Sequence, residues 1–128
     1  MNFRPQDPHI RERDGFLEII GPPSRPKLGM DSHAGWFAYL MRHDLMFVKW
    51  FKTHPDRAYN EMVALTISIW YNKDIVCELE LIGPKENIPP GGGAHFTEHW
   101  SLLLFDFPTE GEHVDLEAVT QLVNTEAQ

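Results

Sequence analysis

Five runs of aromatic and β-branched residues, each broken by turn chemistry, constrain this chain more than any other feature. They are GWFAYLM (35–41), LMFVKWF (45–51), MVALTISIWY (62–71), IVCELELIG (75–83) and HFTEHWSLLLF (95–105). Side chains of these types fit the pleated, half-buried surface of a strand. In IVCELELIG the period is two. Cys77, Leu79 and Leu81 point one way, and Val76, Glu78, Glu80 and Ile82 point the other. In the last run Phe96, Trp100, Leu102 and Leu104 share one face, and His95, Thr97, His99 and Ser101 share the opposite one.

The breaks between the runs are short. His43-Asp44 separates the first two, which predicts a hairpin. Pro55-Asp56 supplies turn chemistry in the loop 53–60, Asn72-Lys73-Asp74 forms another turn, and GPKENIPPGGG (83–93) is a loop. Strands joined this tightly imply an all-β fold, an antiparallel β-sandwich or barrel.

The flanks differ. Residues 1–14 are polar, contain Pro5 and Pro8, and read as an N-terminal arm. A short apolar run, Phe16 to Ile20, predicts one more strand, which stops at Gly21-Pro22-Pro23 because proline donates nothing to a ladder. At the other end Asp115 caps a predicted helix reaching about Glu126, with Leu116, Val119, Leu122 and Val123 on one stripe. The expected division is therefore an arm at 1–14, a β-sandwich at 15–107 and a tail with a helix at 108–128.

Charge narrows the partners. The formal net charge is −8 over 128 residues. Such a surface repels phosphate backbones and anionic lipid, so neither nucleic acid nor a membrane is the expected partner. No apolar run approaches the roughly 20 residues that span a bilayer. The segment MNFRPQDPHIRERD has no apolar stretch of the signal-peptide type. With one cysteine, Cys77, no internal disulfide forms, and a cytoplasmic location is expected. Cys77 alternates with core positions and reads as a buried, inert thiol.

Several residues carry possible chemistry. Glu78 and Glu80 stand at i and i+2 of a strand, on one face and about 7 Å apart. They suit acid–base work or a solvated strand face. Lys49 interrupts FVKWF, so its amine reaches either a carboxylate such as Glu78 or Glu80, or a wet concavity. His95 and His99 are about 13 Å apart along a strand, too far to share one metal. Of the four tryptophans, Trp100 is expected in the core, and Trp36 or Trp70 is the candidate for an exposed sugar platform. Pro90-x-Gly92-x-x-His95 matches the second half of a cupin pattern, whose first half is missing. No nucleophile motif of the G-x-S-x-G type is present.

The ordered set KLGMDSHAGWFAYL, LMFVKWF, ELELIGP and IPPGG followed by EHW resembles the C-terminal half of a galactose-mutarotase-like, carbohydrate-binding family. The matching positions are Lys27 to Gly29, Ala34 to Trp36, Phe47 to Lys49, Glu78 to Pro84, and Ile88 to Gly91 with Trp100. A D-P-R-I element of the family is matched at 7–10, with His9 in place of arginine. The resemblance spans about residues 7–107. It implies a mutarotase-like sandwich, as a half-domain or a jelly-roll-like fold, with a homodimer completing its open edges. It also carries a departure: Ser68 stands where such proteins have a glutamate. A mutarotase needs both a general base and an acid, so this loss argues against epimerase activity.

The leading expectation is a carbohydrate-binding or sugar-processing protein. Its site would be Lys49, Glu80, His95, His99 and Trp36, holding a sugar or a sugar acid, with no cofactor. The second is a small cupin-like enzyme with a divalent metal ion on His95. The third is a non-catalytic dimerisation or assembly module, which an uninterrupted apolar patch would favour.

Overall fold

The computed structural model describes residues 6–59, 64–72 and 75–127. The strands are β1 (Ile10–Arg13), β2 (Phe16–Ile19), β3 (Lys27–Met30), β4 (Trp36–Met41), β5 (Leu45–Phe51), β6 (Ile67–Asn72), β7 (Val76–Leu81) and β8 (Glu98–Leu104). One helix follows, α1 (Leu116–Glu126). The strands form three antiparallel sheets, ordered β1-β2, β3-β6-β7 and β4-β5-β8. The protein is thus mostly β with a C-terminal helix, and no barrel closes among the described residues. The chain divides into two compact units, Met1–Ser32 with Asp56–Lys85, and His33–Pro55 with Glu86–Gln128.

The first unit holds the β1–β2 hairpin and the β3-β6-β7 sheet. Residues 10–13, expected within a polar arm, form a strand instead. Asp14 and Gly15 both take positive φ, 50° and 81°, as a two-residue type I′ hairpin turn demands. The polar sequence IRER is held as a strand by charge. Arg11 lies opposite Glu18, and the guanidiniums of Arg11 and Arg13 both donate to the Glu18 carboxylate, at 2.8 and 3.0 Å from their Nε atoms. Burial pushes the Glu18 carboxyl up, but the hydrogen bonds and charges of the two arginines overrule it and hold the group at about 2.

β3 is a strand that the apolar runs do not announce. It pairs with β6 from Lys27↔Trp70 to Met30↔Ile67. Thr66, fully buried, ties the end of β3 in place. Its Oγ1 donates to Ser32 O and accepts from Ser32 N, both at 2.8 Å, while its own amide donates to Met30 O at 3.0 Å. The predicted strand at 62–71 is realised as Ile67–Asn72; Met62 and Val63 lie outside the described residues, as do Lys73 and Asp74 of the predicted turn. β6 and β7 pair antiparallel on either side of that turn.

The second unit is built on the expected hairpin. β4 pairs with β5 from Trp36↔Trp50 to Met41↔Leu45, and β8 adds to the far side of β5. Asp44 closes the β4–β5 turn with φ of 57°, and its Oδ1 accepts from Phe107 N at 2.9 Å, anchoring the chain after β8. One face of this sheet is covered by α1. Met46 and Val48 of β5 pack with Val119 and Val123 of the helix, all at most 3% exposed. Each such burial is worth about 1.5–3 kcal/mol. The helix begins as predicted: Asp115 accepts from Ala118 N at 2.9 Å.

Candidate functional site

Cross-strand register brings the most chemistry together on the β3-β6-β7 sheet. One row runs Lys27, Trp70, Glu78; the next runs Gly29, Ser68, Glu80. Residues directly opposite have Cβ atoms about 5 Å apart and point to the same face. A half-buried tryptophan therefore lies in the central strand, between an exposed lysine on one side and two exposed glutamates on the other. Among the described residues neither Lys27 nor the glutamates form a salt bridge, so their charges are available to a ligand. The other face of this sheet carries Leu28, Met30, Ile67, Ile69, Leu79 and Leu81.

Gly29 is required by space. A Cβ there would collide with the Leu65 side chain, so Leu65 lies over this end of the face. Ser68, its neighbour in the row, is 3% exposed and its Oγ has no hydrogen-bond partner among the described residues. Ser68 thus offers a buried hydroxyl, a group that neither takes nor gives a proton readily near neutral pH. The free carboxylates both sit on β7. Cys77, on the opposite face of that strand, is half-buried; burial, with the nearby Glu78 charge, pushes its thiol up and away from the reactive thiolate.

A second cluster occupies the β4-β5-β8 sheet, on the face away from α1. Lys49 is 6% exposed. Its Nζ lies 2.8 Å from Glu98 Oε2 and above the Trp100 and Phe37 rings, at 4.8 and 5.9 Å from their centroids. The Trp100 indole donates to Glu98 Oε2 at 2.6 Å, and Phe47 meets Trp100 edge-on at 5.7 Å. The expected lysine–carboxylate pair thus exists, but with Glu98 rather than Glu78 or Glu80. β8 pairs with β5, whereas β7 belongs to the other sheet. Trp100, expected in the core, is 64% exposed, because α1 covers the other face.

The five residues expected to form the site fall on different elements. Glu80 is on the β3-β6-β7 sheet, and Lys49 is on β5 of the other unit. Trp36 and His99 fall in one row with Trp50, on the face opposite Lys49. The Trp50 Nε1 beside them is buried without a partner among the described residues. His95 is exposed and precedes β8 rather than lying on it, so it does not share a strand face with His99. Among the described residues no three histidine, cysteine or carboxylate side chains gather where they could hold one metal ion.

The sequence singles out Glu78 and Glu80 but not Lys27, and it offers Trp70 only as an alternative to Trp36. A period of two in KLGM places Lys27 and Gly29 on one face of a strand; that Trp70 stands opposite Lys27 follows only from the β3–β6 register.

Fold and site together define an antiparallel β protein with a tryptophan-centred, charge-flanked sheet face. No family model, curated protein or solved structure matches this chain. No helix among the described residues is long and apolar enough to cross a membrane.

Proposed function

We propose that the Lys27, Trp70, Glu78 and Glu80 face binds a carbohydrate or a sugar acid. The observation that carries this reading is the row Lys27–Trp70–Glu78. An indole face packs against the apolar C–H face of a sugar ring. The carboxylates on one side accept hydrogen bonds from its hydroxyls, and the ammonium on the other donates to a hydroxyl or pairs with a carboxylate. The row spans about 10 Å across three strands, the scale of a mono- or disaccharide. The resemblance to mutarotase-like proteins points to the same ligand class, and the buried Ser68 favours binding over epimerisation.

Titration calorimetry against neutral hexoses and uronic acids tests this. Trp70→Ala is expected to weaken the binding by about 10- to 100-fold, as loss of a central tryptophan does. Lys27→Met is expected to weaken uronic acids more than neutral sugars. A folded Trp70→Ala protein that binds as the parent does would sink the reading. Loss of binding in His99→Ala or Trp36→Ala instead would move the site to the other sheet.

A further inference from the structure

We propose that the outer edge of β8 is a self-association site. There a second copy of this chain adds its own β8, antiparallel, about a two-fold axis at Ser101. The inference is independent of the carbohydrate reading, which concerns the other sheet.

The edge is open and its hydrogen-bonding phase is known. In the order β4-β5-β8 the outer side of β8 has no partner strand among the described residues. Phe105 N donates to Asp44 O at 3.0 Å, which marks a hydrogen-bonded pair of the β5–β8 ladder. Phe51 N donating to Gly35 O at 2.9 Å fixes the same phase on the β4 side. Antiparallel ladders alternate. His99, Ser101 and Leu103 therefore turn their amides toward β5. Glu98, Trp100, Leu102 and Leu104 turn theirs outward.

This edge lacks the usual protection. Exposed edges are blunted by lysine, proline or a bulge. From Glu98 to Leu104 there is no lysine and no proline, and the register with β5 runs unbroken through all seven residues. Trp100, Leu102 and Leu104 are 64%, 57% and 83% exposed on one side of the strand.

A second copy fits this edge better than an arbitrary strand does. With the axis at Ser101, all four outward residues meet outward residues. Trp100 faces Leu102 of the partner subunit, and Glu98 faces Leu104 of the partner subunit. Indole then packs on leucine twice, once on each side of the axis, as an isologous interface requires. The charge also permits it. Each chain carries −8, but the sole carboxylate of the strand, Glu98, is held by Lys49 at 2.8 Å. The product is a six-stranded sheet, β4-β5-β8 continued by the same strands in reverse.

Sedimentation equilibrium of the untagged chain, from about 1 to about 200 µM, is expected to show a monomer–dimer equilibrium with a micromolar constant. A monomer throughout that range overturns the proposal. Single-cysteine variants in a Cys77→Ser background locate the axis. Ser101→Cys is expected to form an interchain disulfide on mild oxidation, since facing residues of a non-hydrogen-bonded pair have Cα atoms about 4.5 Å apart. His99→Cys, displaced from its own copy by about 13 Å along the strands, is expected to stay reduced. Equal crosslinking of the two variants places the contact elsewhere and overturns the proposal. Leu102→Lys, with an unchanged circular dichroism spectrum, is expected to weaken the dimer by on the order of 100-fold, because the interface loses two leucines. A dimer of undiminished strength in that variant has the same meaning as equal crosslinking.

Discussion

Glu18 accepts from two arginines on its own hairpin, and that pairing makes the hairpin sensitive to acid. Its carboxyl stands at about 2 in the folded chain against an ordinary 4.5. A depressed carboxylate contributes stability above its unfolded value, and that contribution disappears as pH falls from about 4.5 to about 2. Thermal melts at pH 6 and in that window are expected to show a larger acid loss for the parent than for Glu18→Gln. Equal losses would mean that the Arg11–Glu18–Arg13 cluster adds nothing to stability. At this scale the sequence was partly legible. Alternation alone placed Glu78 and Glu80 on one face, because a strand has a period of two whatever surrounds it. It did not identify the partner of Lys49, since that depends on which strand lies beside β5. Nor did it place Trp100: being apolar at every second position says which residues share a face, but not which face is covered.

Among the elements, α1 shows the closest agreement between sequence and structure. Its cap, its length and its buried stripe of Leu116, Val119 and Val123 follow from local chemistry. Replacing Asp115 by alanine removes the hydrogen bond to Ala118 N, and the expected cost is about 1 kcal/mol in urea unfolding followed by circular dichroism. Asp115→Ser is expected to retain most of that stability, and equal losses in both variants would show that the cap is not the cause. The β4–β5 hairpin was equally readable, from two apolar runs flanking His43-Asp44. The β1–β2 hairpin and β3 were not. β1 has only one apolar residue, Ile10, and is held by ion pairs and an Asp-Gly turn rather than by a hydrophobic pattern. β3 is four residues long with a glycine in it, and what makes it a strand is pairing with β6 and the Thr66 clasp.

For the molecule as a whole, the net charge of −8 opposes any self-association, whereas the β8 patch itself is locally neutral. Raising salt from about 20 to about 300 mM shortens the screening length from about 20 to about 6 Å. The proposed dimer is therefore expected to tighten several-fold over that range in sedimentation runs. Weakening with salt would indicate an interface held by ion pairs, contrary to the apolar edge described. Composition and local pattern by themselves determined that the chain is β-rich, which residues alternate, where the principal hairpin turns and where the helix starts. Those properties depend on neighbours within a few positions, through backbone sterics, side-chain period and capping. Only the tertiary structure decided which strands share a sheet, that α1 covers one face of β4-β5-β8 while leaving Trp100 exposed, and that Lys27, Trp70 and Glu78 meet in one row. The β3–β6 and β5–β8 pairings and the seat of α1 join segments far apart in sequence, and they are chosen by the summed energy of ladders and packing rather than by any local signal.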